Sequence, residues 1–362
     1  MKYTIPLLIV GVCSSPITQA QPTTDGIACD YSQSTFNRSE SVNVTSRSGW
    51  SCSNDKRKLT SNGLPDHAVG EFPNANNPNG ISEQNISATF PLIPNVASTA
   101  TQLGGPRGAQ GYVLNGIKID ASTAGSCDDS GSDCSMINPS GNWHIEALGP
   151  SSFNFGTDDN NAHVQPGGEY HYHGIPEGFV SLRGGNNSTI TLIAWAADGF
   201  PIYARYGYSV ASDSTSTIRA MTGSYQLLST PLASRPSADS FALGTFKEDW
   251  EYVHGSGDLD ECNGRVGVTP EFPEGIYHYY ATDSYPYFQR CVKGEVEVST
   301  ATQGGNGADR GRPDFAAAAH KLGISERALM EAIGGPPPNF NKASSVLGIP
   351  VAKIQDAVRS SR

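Results

Sequence analysis

Two histidines separated by a single residue, His171 and His173, form the pattern in this chain that is most typical of metal binding. They lie in the segment Tyr170-His171-Tyr172-His173, which is bracketed by glycines, and tyrosine is a strong strand former. Alternate residues of a strand point to opposite faces, so the two imidazoles share one face and the two tyrosines share the other. Two such imidazoles can converge on one ion, and the sequence therefore predicts a transition-metal site with both histidines as ligands.

A partial copy of this segment occurs later in the chain, as Tyr277-His278-Tyr279-Tyr280. It also predicts a strand, and His278 is a third candidate ligand if the two strands lie near each other. Three imidazoles and one open position are the arrangement of a catalytic zinc site, and imidazole also suits copper. Tyr280 shares the predicted face of His278 and could act as a phenolate ligand, as a proton donor or as a packed ring.

Further side chains could complete the site. His163 precedes the first copy closely, and His67 lies in another histidine-containing block, so either could be an additional ligand. Asp198 could orient a ligating imidazole or act as a general base, which makes it, with Tyr280, a catalytic candidate. Asp198-Gly199 is also a strong turn dipeptide, and the histidines could instead hydrogen-bond to the backbone of an aromatic core.

Several distinctive blocks surround these motifs. They are Asn62-Gly63-Leu64-Pro65-Asp66-His67, Asn161-Ala162-His163-Val164, Ala197-Asp198-Gly199-Phe200-Pro201-Ile202-Tyr203, Leu259-Asp260-Glu261-Cys262-Asn263-Gly264 and Gly275-Ile276-Tyr277-His278-Tyr279-Tyr280. Together with Tyr170-His171-Tyr172-His173 they resemble the YHYH-domain proteins, over about residues 60–295. The resemblance implies an exported or extracytoplasmic protein and does not indicate a reaction. Tyr280 stands where the second histidine of a full tetrapeptide would fall.

The first 20 residues have the pattern of a secretory signal. Lys2 precedes an apolar run, and Ala20 supplies the small residue that signal peptidase prefers at the cleavage position. We therefore expect residues 1–20 to be removed and the mature protein to be secreted or periplasmic. Six of the seven cysteines lie beyond this segment, and an even number in an exported chain indicates disulfides. Six cysteines allow many pairings, of which their clustering favours Cys29–Cys52, Cys127–Cys134 and Cys262–Cys291.

Composition excludes two classes of partner. A net charge of −11 argues against nucleic-acid binding, which needs a positive surface. After the signal, no apolar run approaches the roughly 20 residues that span a bilayer, so we expect no integral membrane segment.

Residues 21–298 contain short apolar or alternating runs that are cut by glycine, asparagine and proline. This spacing predicts a mainly β domain, similar to a sandwich or barrel. The runs 111–119, 189–197 and 200–204 are examples, and residues 190–196 within the second run are a candidate central strand that is followed by a turn at 197–199. Residues 209–217 are rich in serine and threonine and predict a solvated loop.

The C-terminal part differs in kind. Residues 299–312 have the composition of a flexible linker. Residues 313–362 hold two matching patterns, Pro313-Asp314-Phe315 with Leu322-Gly323-Ile324 and Pro338-Asn339-Phe340 with Leu347-Gly348-Ile349. They predict a small α-helical module of two helix-turn-helix units. In an exported chain we interpret it as a docking module for a protein partner or as a packing module, rather than as a DNA-binding hairpin.

Two functions are compatible with these features. The first is an exported copper or zinc protein that acts on a small molecule, as a metal-dependent hydrolase or oxidase. The second is a non-catalytic recognition or structural module that binds a surface ligand and docks a partner through its helical tail. An enzyme needs an open coordination position in a pocket, whereas a structural or storage site is closed.

Overall fold

The computed structural model describes residues 28–104, 108–136, 141–150, 152–296, 315–333 and 340–359. The predicted mainly β class is confirmed, because strands in several sheets make up most of the regular structure before residue 297. The strands are β1 Ser32–Asn37, β2 Val44–Ser53, β3 Lys56–Ser61, β4 Ile86–Pro91, β5 Val96–Gln102, β6 Gly111–Val113, β7 Lys118–Ile119, β8 Ser126–Cys127, β9 Cys134–Ser135, β10 Trp143–His144, β11 Ala162–Val164, β12 Tyr170–Tyr172, β13 Thr191–Ala196, β14 Pro201–Ala204, β15 Tyr206–Tyr208, β16 Ile218–Ala220, β17 Tyr225–Leu227, β18 Trp250–Tyr252, β19 Gly264–Gly267, β20 Ile276–Ala281 and β21 Cys291–Gly294.

The largest sheet has eight strands in the order β11-β12-β7-β6-β13-β14-β20-β19. The predicted central strand is confirmed: β13 lies between β6 and β14, and every one of its residues is buried. Its nearly continuous apolar sequence, Thr191-Leu192-Ile193-Ala194-Trp195-Ala196, is typical of a strand that is covered on both faces. Both copies of the tyrosine-histidine segment are strands, as predicted, and they lie at opposite ends of this sheet.

This sheet is built from two units with the same connectivity. In each unit a hairpin (β6-β7 or β13-β14) is followed later in the chain by a second hairpin (β11-β12 or β19-β20), and the last strand pairs in parallel with the second strand. The units meet at the antiparallel pair β6–β13, where Tyr112 faces Trp195. An approximate two-fold axis therefore runs between Tyr112 and Trp195 and relates the two halves of the sheet.

The first hairpins of the two units have equivalent turns, Asn115-Gly116 and Asp198-Gly199. Both glycines have positive φ, 84° and 87°, and a Cβ atom on Gly199 would lie 2.3 Å from the Pro91 carbonyl oxygen. The turn predicted at 197–199 is thus confirmed. The run 111–119 is not one strand but a hairpin, because Asn115-Gly116 is a strong reversal signal.

The remaining sheets pack around this one. Strands β1 to β4 form an antiparallel meander, and the alternating burial along β2 and β3 places Trp50 and Leu59 in the main core. The indole of Trp50 donates to the Leu114 carbonyl (2.8 Å) and so ties the meander to the β6-β7 hairpin. Between β15 and β16, residues 209–217 form the predicted loop. The three favoured disulfides, Cys29–Cys52, Cys127–Cys134 and Cys262–Cys291, are all present.

The helices are few, and four of the five described ones lie in the C-terminal part. They pack around a common core that includes Ala318, Leu329, Ala343 and Ile354, which confirms the predicted helical module. The helices are α1 Glu177–Leu182, α2 Phe315–Leu322, α3 Glu326–Ile333, α4 Phe340–Leu347 and α5 Val351–Arg359. The predicted domain boundaries stay predictions, since residues 1–20 and 299–312 lie outside the described residues.

In the described parts of the chain, none of the helices combines the length and the apolar character that crossing a membrane requires.

Candidate metal centre

Three histidines converge at one end of the eight-stranded sheet. His163 on β11 lies directly opposite His171 on β12, and His173 follows β12 by one residue. The Nε2 atom of His173 is 3.0 Å from Nε2 of His171 and 3.1 Å from Nε2 of His163. The structure therefore brings together His163, His171 and His173 of the candidate ligands, and we call these three the histidine cluster.

Backbone carbonyls fix the proton positions of two of these rings. Nδ1 of His163 is 3.1 Å from the Phe155 carbonyl oxygen, and Nδ1 of His171 is 3.3 Å from that of Glu169. A carbonyl oxygen can only accept, so in both rings Nδ1 carries the hydrogen and Nε2 presents a lone pair. Hydrogen bonds of this kind also orient metal-ligating imidazoles. Of the three Nε2 atoms that meet here, only that of His173 is free to carry a hydrogen.

Burial keeps the cluster neutral. His163, His171 and His173 are 9%, 4% and 2% exposed. Burial lowers the pKa of His163, and it lowers the pKa of His171 and of His173 well below the usual value, with the neighbouring imidazoles adding to the effect. Neutral imidazole is the form that binds a metal, so the cluster is in its ligating state at neutral pH.

A charged group lies on the same face, beside the cluster. Lys118 on β7 pairs in register with His171, and its Nζ is 3.1 Å from a Glu169 oxygen and 3.5 Å from an Asp120 oxygen. Gln165 accepts from Lys118 (3.0 Å) and donates to Glu169. Burial lowers the pKa of Lys118, but the carboxylates of Glu169 and Asp120 outweigh it and raise the pKa above its usual value. We call Lys118, Asp120 and Glu169 the charged trio.

His278 does not join the cluster. Four strands separate β12 from β20, and at about 4.8 Å per strand spacing the two copies lie far beyond the reach of one ion. Nδ1 of His278 donates to the Ile276 carbonyl (2.9 Å), and its Nε2 accepts from the Tyr280 hydroxyl (3.0 Å). Both ring nitrogens are therefore satisfied within the copy. Burial lowers the pKa of His278 to about 4.

The second copy nevertheless matches the first position by position. His163 lies opposite His171 across one hairpin, and Arg265 lies opposite His278 across the other. The backbone N–H of His173 donates to the Asn161 carbonyl (2.8 Å), and the backbone N–H of Tyr280 donates to the Asn263 carbonyl (3.0 Å). Asn161 and Asn263 also share a positive φ, 54° and 60°. The equivalent pairs are His163 with Arg265, His171 with His278, and His173 with Tyr280.

His67 lies on the other face of β12. Its Nε2 accepts from the Tyr172 hydroxyl (2.5 Å), while its Nδ1 donates to the Ala68 carbonyl (2.9 Å). Because Tyr172 and His171 point to opposite faces of the strand, His67 is kept away from the cluster. It supports the tyrosine side of the strand rather than the histidine side.

Asp198 and Tyr280, the two catalytic candidates, belong to the second unit. Asp198 is fully buried in the β13-β14 turn, and its Oδ2 accepts from the Tyr279 hydroxyl (2.5 Å) and the Gly294 amide (2.8 Å). Burial raises the pKa of this carboxyl. Its environment matches the turn interpretation, and its counterpart Asn115 likewise contacts the Tyr172 hydroxyl (3.0 Å).

Sequence reasoning missed the charged trio and the carbonyl of Phe155. Lys118 and Asp120 were visible as the only charges in the apolar stretch 111–121, which is a signal of buried, paired charge. A cavity of about 500 Å³ adjoins the cluster, and its lining includes Phe155, Asn161 and Gly174 but none of the three cluster histidines.

Comparison with known proteins gives one match. A family model described as YHYH protein matches residues 87–294, which is more than half of the chain and includes the whole eight-stranded sheet. The chain matches no curated protein and no solved structure.

Proposed function

We propose that this chain, which belongs to the YHYH protein family, binds one transition-metal ion, zinc or copper, through the Nε2 atoms of His163, His171 and His173. The observation that carries the proposal is the convergence of three Nε2 atoms, two of which present lone pairs because their Nδ1 hydrogens are committed to carbonyls. Lone pairs that face each other in a buried site repel, and a cation between them removes that repulsion.

The spacing supports a tetrahedral shell. With metal–nitrogen bonds of about 2.0–2.1 Å, two ligating nitrogens lie about 3.3 Å apart. The pairs at 3.0 and 3.1 Å would therefore need to separate by only about 0.3 Å. All six cysteines beyond residue 20 are in disulfides, so the proposed shell is built on imidazole rather than thiolate. Imidazole suits both zinc and copper.

The chemistry of the bound ion has two candidate forms. Three protein ligands leave a position for water, which supports a hydrolase or oxidase acting on a small molecule. The low exposure of the three rings, and their absence from the lining of the adjacent cavity, favour the second form, a binding or structural site without catalysis. Asp198 and Tyr280 lie in the other unit, so no proton-handling role at this metal is proposed for them.

Azide separates these two forms. With the site loaded with Co²⁺, an open position takes up azide and shifts the visible absorption spectrum, whereas a closed shell leaves the spectrum unchanged. A shift supports the enzyme, and no shift supports the closed site.

Elemental analysis of the purified protein, without added metal, tests binding itself. We expect about one zinc or copper per chain in the wild type and almost none in the double variant His171→Ala, His173→Ala. His278→Ala is the matched control, because it removes the equivalent histidine of the other unit, and it should keep the metal. Equal metal content in the wild type and the double variant would show that the cluster is not the site.

Export and partner docking complete the proposal. Three disulfides are typical of an oxidising compartment, which supports a secreted or periplasmic protein. N-terminal sequencing of the exported chain, expected to begin at residue 21, checks this statement.

We propose that residues 313–362 dock a protein partner, as an independently packed helical unit. Pull-down with and without residues 313–362 checks this proposal.

A further inference from the structure

A divalent ion among three neutral imidazoles would leave two positive charges in a nearly buried place. Burial of uncompensated charge is costly, so buried metal sites recruit anions. The charged trio supplies two carboxylates, from Asp120 and Glu169, against the one positive charge of Lys118. Without metal the trio carries a net charge of −1, and this excess lies beside the histidine cluster.

The register of the sheet, extended by one residue beyond β7 and β12, brings Asp120 level with His173. Strand β7 runs parallel to β12 with Ile119 beside Tyr172, and the backbone N–H of Asp120 donates to the Tyr172 carbonyl (3.0 Å). Asp120 is two residues after Lys118, so both side chains emerge on the face that carries His171 and His173. Asp120 is 7% exposed. Its carboxylate is thus directed to the same buried face as the cluster.

The two carboxylates are held differently. Glu169 is the closer partner of Lys118, at 3.1 Å, and it also receives the Gln165 amide. Asp120 makes the longer contact with Lys118, at 3.5 Å. Lys118 therefore keeps Glu169 as a partner if Asp120 moves.

The second unit provides an internal comparison. It has one histidine where the first unit has three, and it lacks the charged trio as well. The equivalent residues, given by the pairings of the two hairpins, are Pro201 for Lys118, Tyr203 for Asp120 and Ile276 for Glu169. The trio and the histidine cluster thus occur together in one unit and are both missing from the other, as expected if they serve one site.

We propose that Asp120 is the fourth ligand of the metal, so that the site is a closed shell of three imidazoles and one carboxylate around a divalent ion. This inference rests on the proposed metal binding. Asp120 does not belong to the group whose ligand atoms lie within 4.8 Å of one another, so its carboxylate would have to move towards the metal upon binding, while Glu169 keeps Lys118 paired. A carboxylate ligand favours a divalent ion over Cu⁺, and four protein ligands are typical of a structural zinc site.

The test compares two variants that each remove one negative charge from the trio, Asp120→Asn and Glu169→Gln. Zn²⁺ affinity is measured by competition with a chelator, and the Co²⁺ form is examined by visible absorption. We expect Asp120→Asn to weaken Zn²⁺ binding more than about tenfold, to alter the Co²⁺ spectrum and to gain an azide response through the vacated position. Glu169→Gln should weaken binding less and keep the wild-type spectrum.

The outcomes separate the two proposals. If the wild type binds neither Zn²⁺ nor Co²⁺, the metal site itself is wrong and this inference fails with it. If the wild type binds but Asp120→Asn has the same affinity and spectrum, only Asp120 is excluded. Equal losses in both variants with unchanged spectra indicate long-range charge rather than ligation, and they also overturn the inference. Asp120→Ser, a smaller replacement, provides the same comparison if Asp120→Asn does not fold.

Discussion

The two units of the eight-stranded sheet have the same backbone and opposite polar chemistry. In the first unit, lone pairs from His163 and His171 both face Nε2 of His173, which can supply one hydrogen at most. In the second, the Tyr280 hydroxyl donates to His278 and itself accepts from Arg265 (3.2 Å). The first unit therefore has lone pairs that a cation could bind, whereas the polar groups of the second unit hydrogen-bond to one another.

Besides the charged trio, which only the first unit has, the units differ at two positions around the shared histidine. Strand pairing, the asparagine turns and the contact between Nδ1 of the histidine and a carbonyl two residues earlier are common to both units. Arg265 in place of His163 brings a permanent positive charge, and Tyr280 in place of His173 brings a hydroxyl donor. The two units thus keep the same strand pairing while different side chains on one face give them different chemistry.

The largest expected effect comes from converting the first unit into the second. In His173→Tyr, the new hydroxyl should donate to Nε2 of His171, as Tyr280 does to His278. The variant removes His173 and occupies the lone pair of His171, so two of the three proposed ligands are lost. We expect metal content, measured by elemental analysis, to fall almost to zero. If this variant kept the metal content of the wild type, a tyrosine at this position would not explain why the two units differ.

Acid should destabilise the second unit by a measurable amount. Burial lowers the pKa of His278 to about 4, so the unfolded chain, with a usual histidine pKa of about 6.5, binds the proton first. This contribution to the free energy of unfolding is complete above about pH 6.5 and is lost as the pH falls towards 4, up to roughly 3 kcal/mol.

Urea unfolding of the metal-free protein at pH 7.5 and pH 4.5 measures this loss. His278→Gln, whose amide oxygen can accept from Tyr280, should show a smaller difference between the two pH values. The same difference in both proteins would mean that His278 does not contribute.

Metal binding should stabilise the first unit by slightly less than the free energy that acid removes through His278. A ligand that binds only the folded state adds about 2.7 kcal/mol at a free concentration 100 times its Kd. The melting temperature should therefore be higher with Zn²⁺ than with a chelator, both for the wild type and for His278→Gln. His173→Tyr should give one melting temperature in both conditions. A metal-dependent shift in His173→Tyr would place the ion elsewhere.

The smallest expected effect is the gain of a weak metal site in the second unit. The double variant Arg265→His, Tyr280→His installs the missing imidazoles in the second unit, and the metal stoichiometry should rise above one per chain. The second ion should bind more weakly than the first, because Pro201, Tyr203 and Ile276 provide no charged trio. Titration with Co²⁺, followed by absorption, would resolve the two sites, and a second site as strong as the first would make the trio irrelevant.

Local patterns were sufficient to predict the strands of both motifs, the shared face of His171 and His173, the turn at Asp198 and the disulfides. They could not place His278, because repetition shows that two segments are similar but not that a two-fold axis puts them at opposite ends of a sheet. Asp120 was missed for a related reason: only the parallel pairing of β7 with β12 brings it to the same face of the sheet as His173, and that register is not encoded locally.

Strands β11 and β19 are the outermost strands of the eight-stranded sheet, and they are secured by unlike means. Next to β19 lies the covalent Cys262–Cys291 disulfide, whereas β11 carries His163, which the proposed metal ion would hold. All three residues of β11 are buried, so packing and not solvent surrounds this outer strand. If the proposed ion is removed, amide exchange should become faster at Ala162–Val164 than in the metal-bound protein, whereas exchange at Gly264–Gly267 should change less because the neighbouring disulfide stays in place.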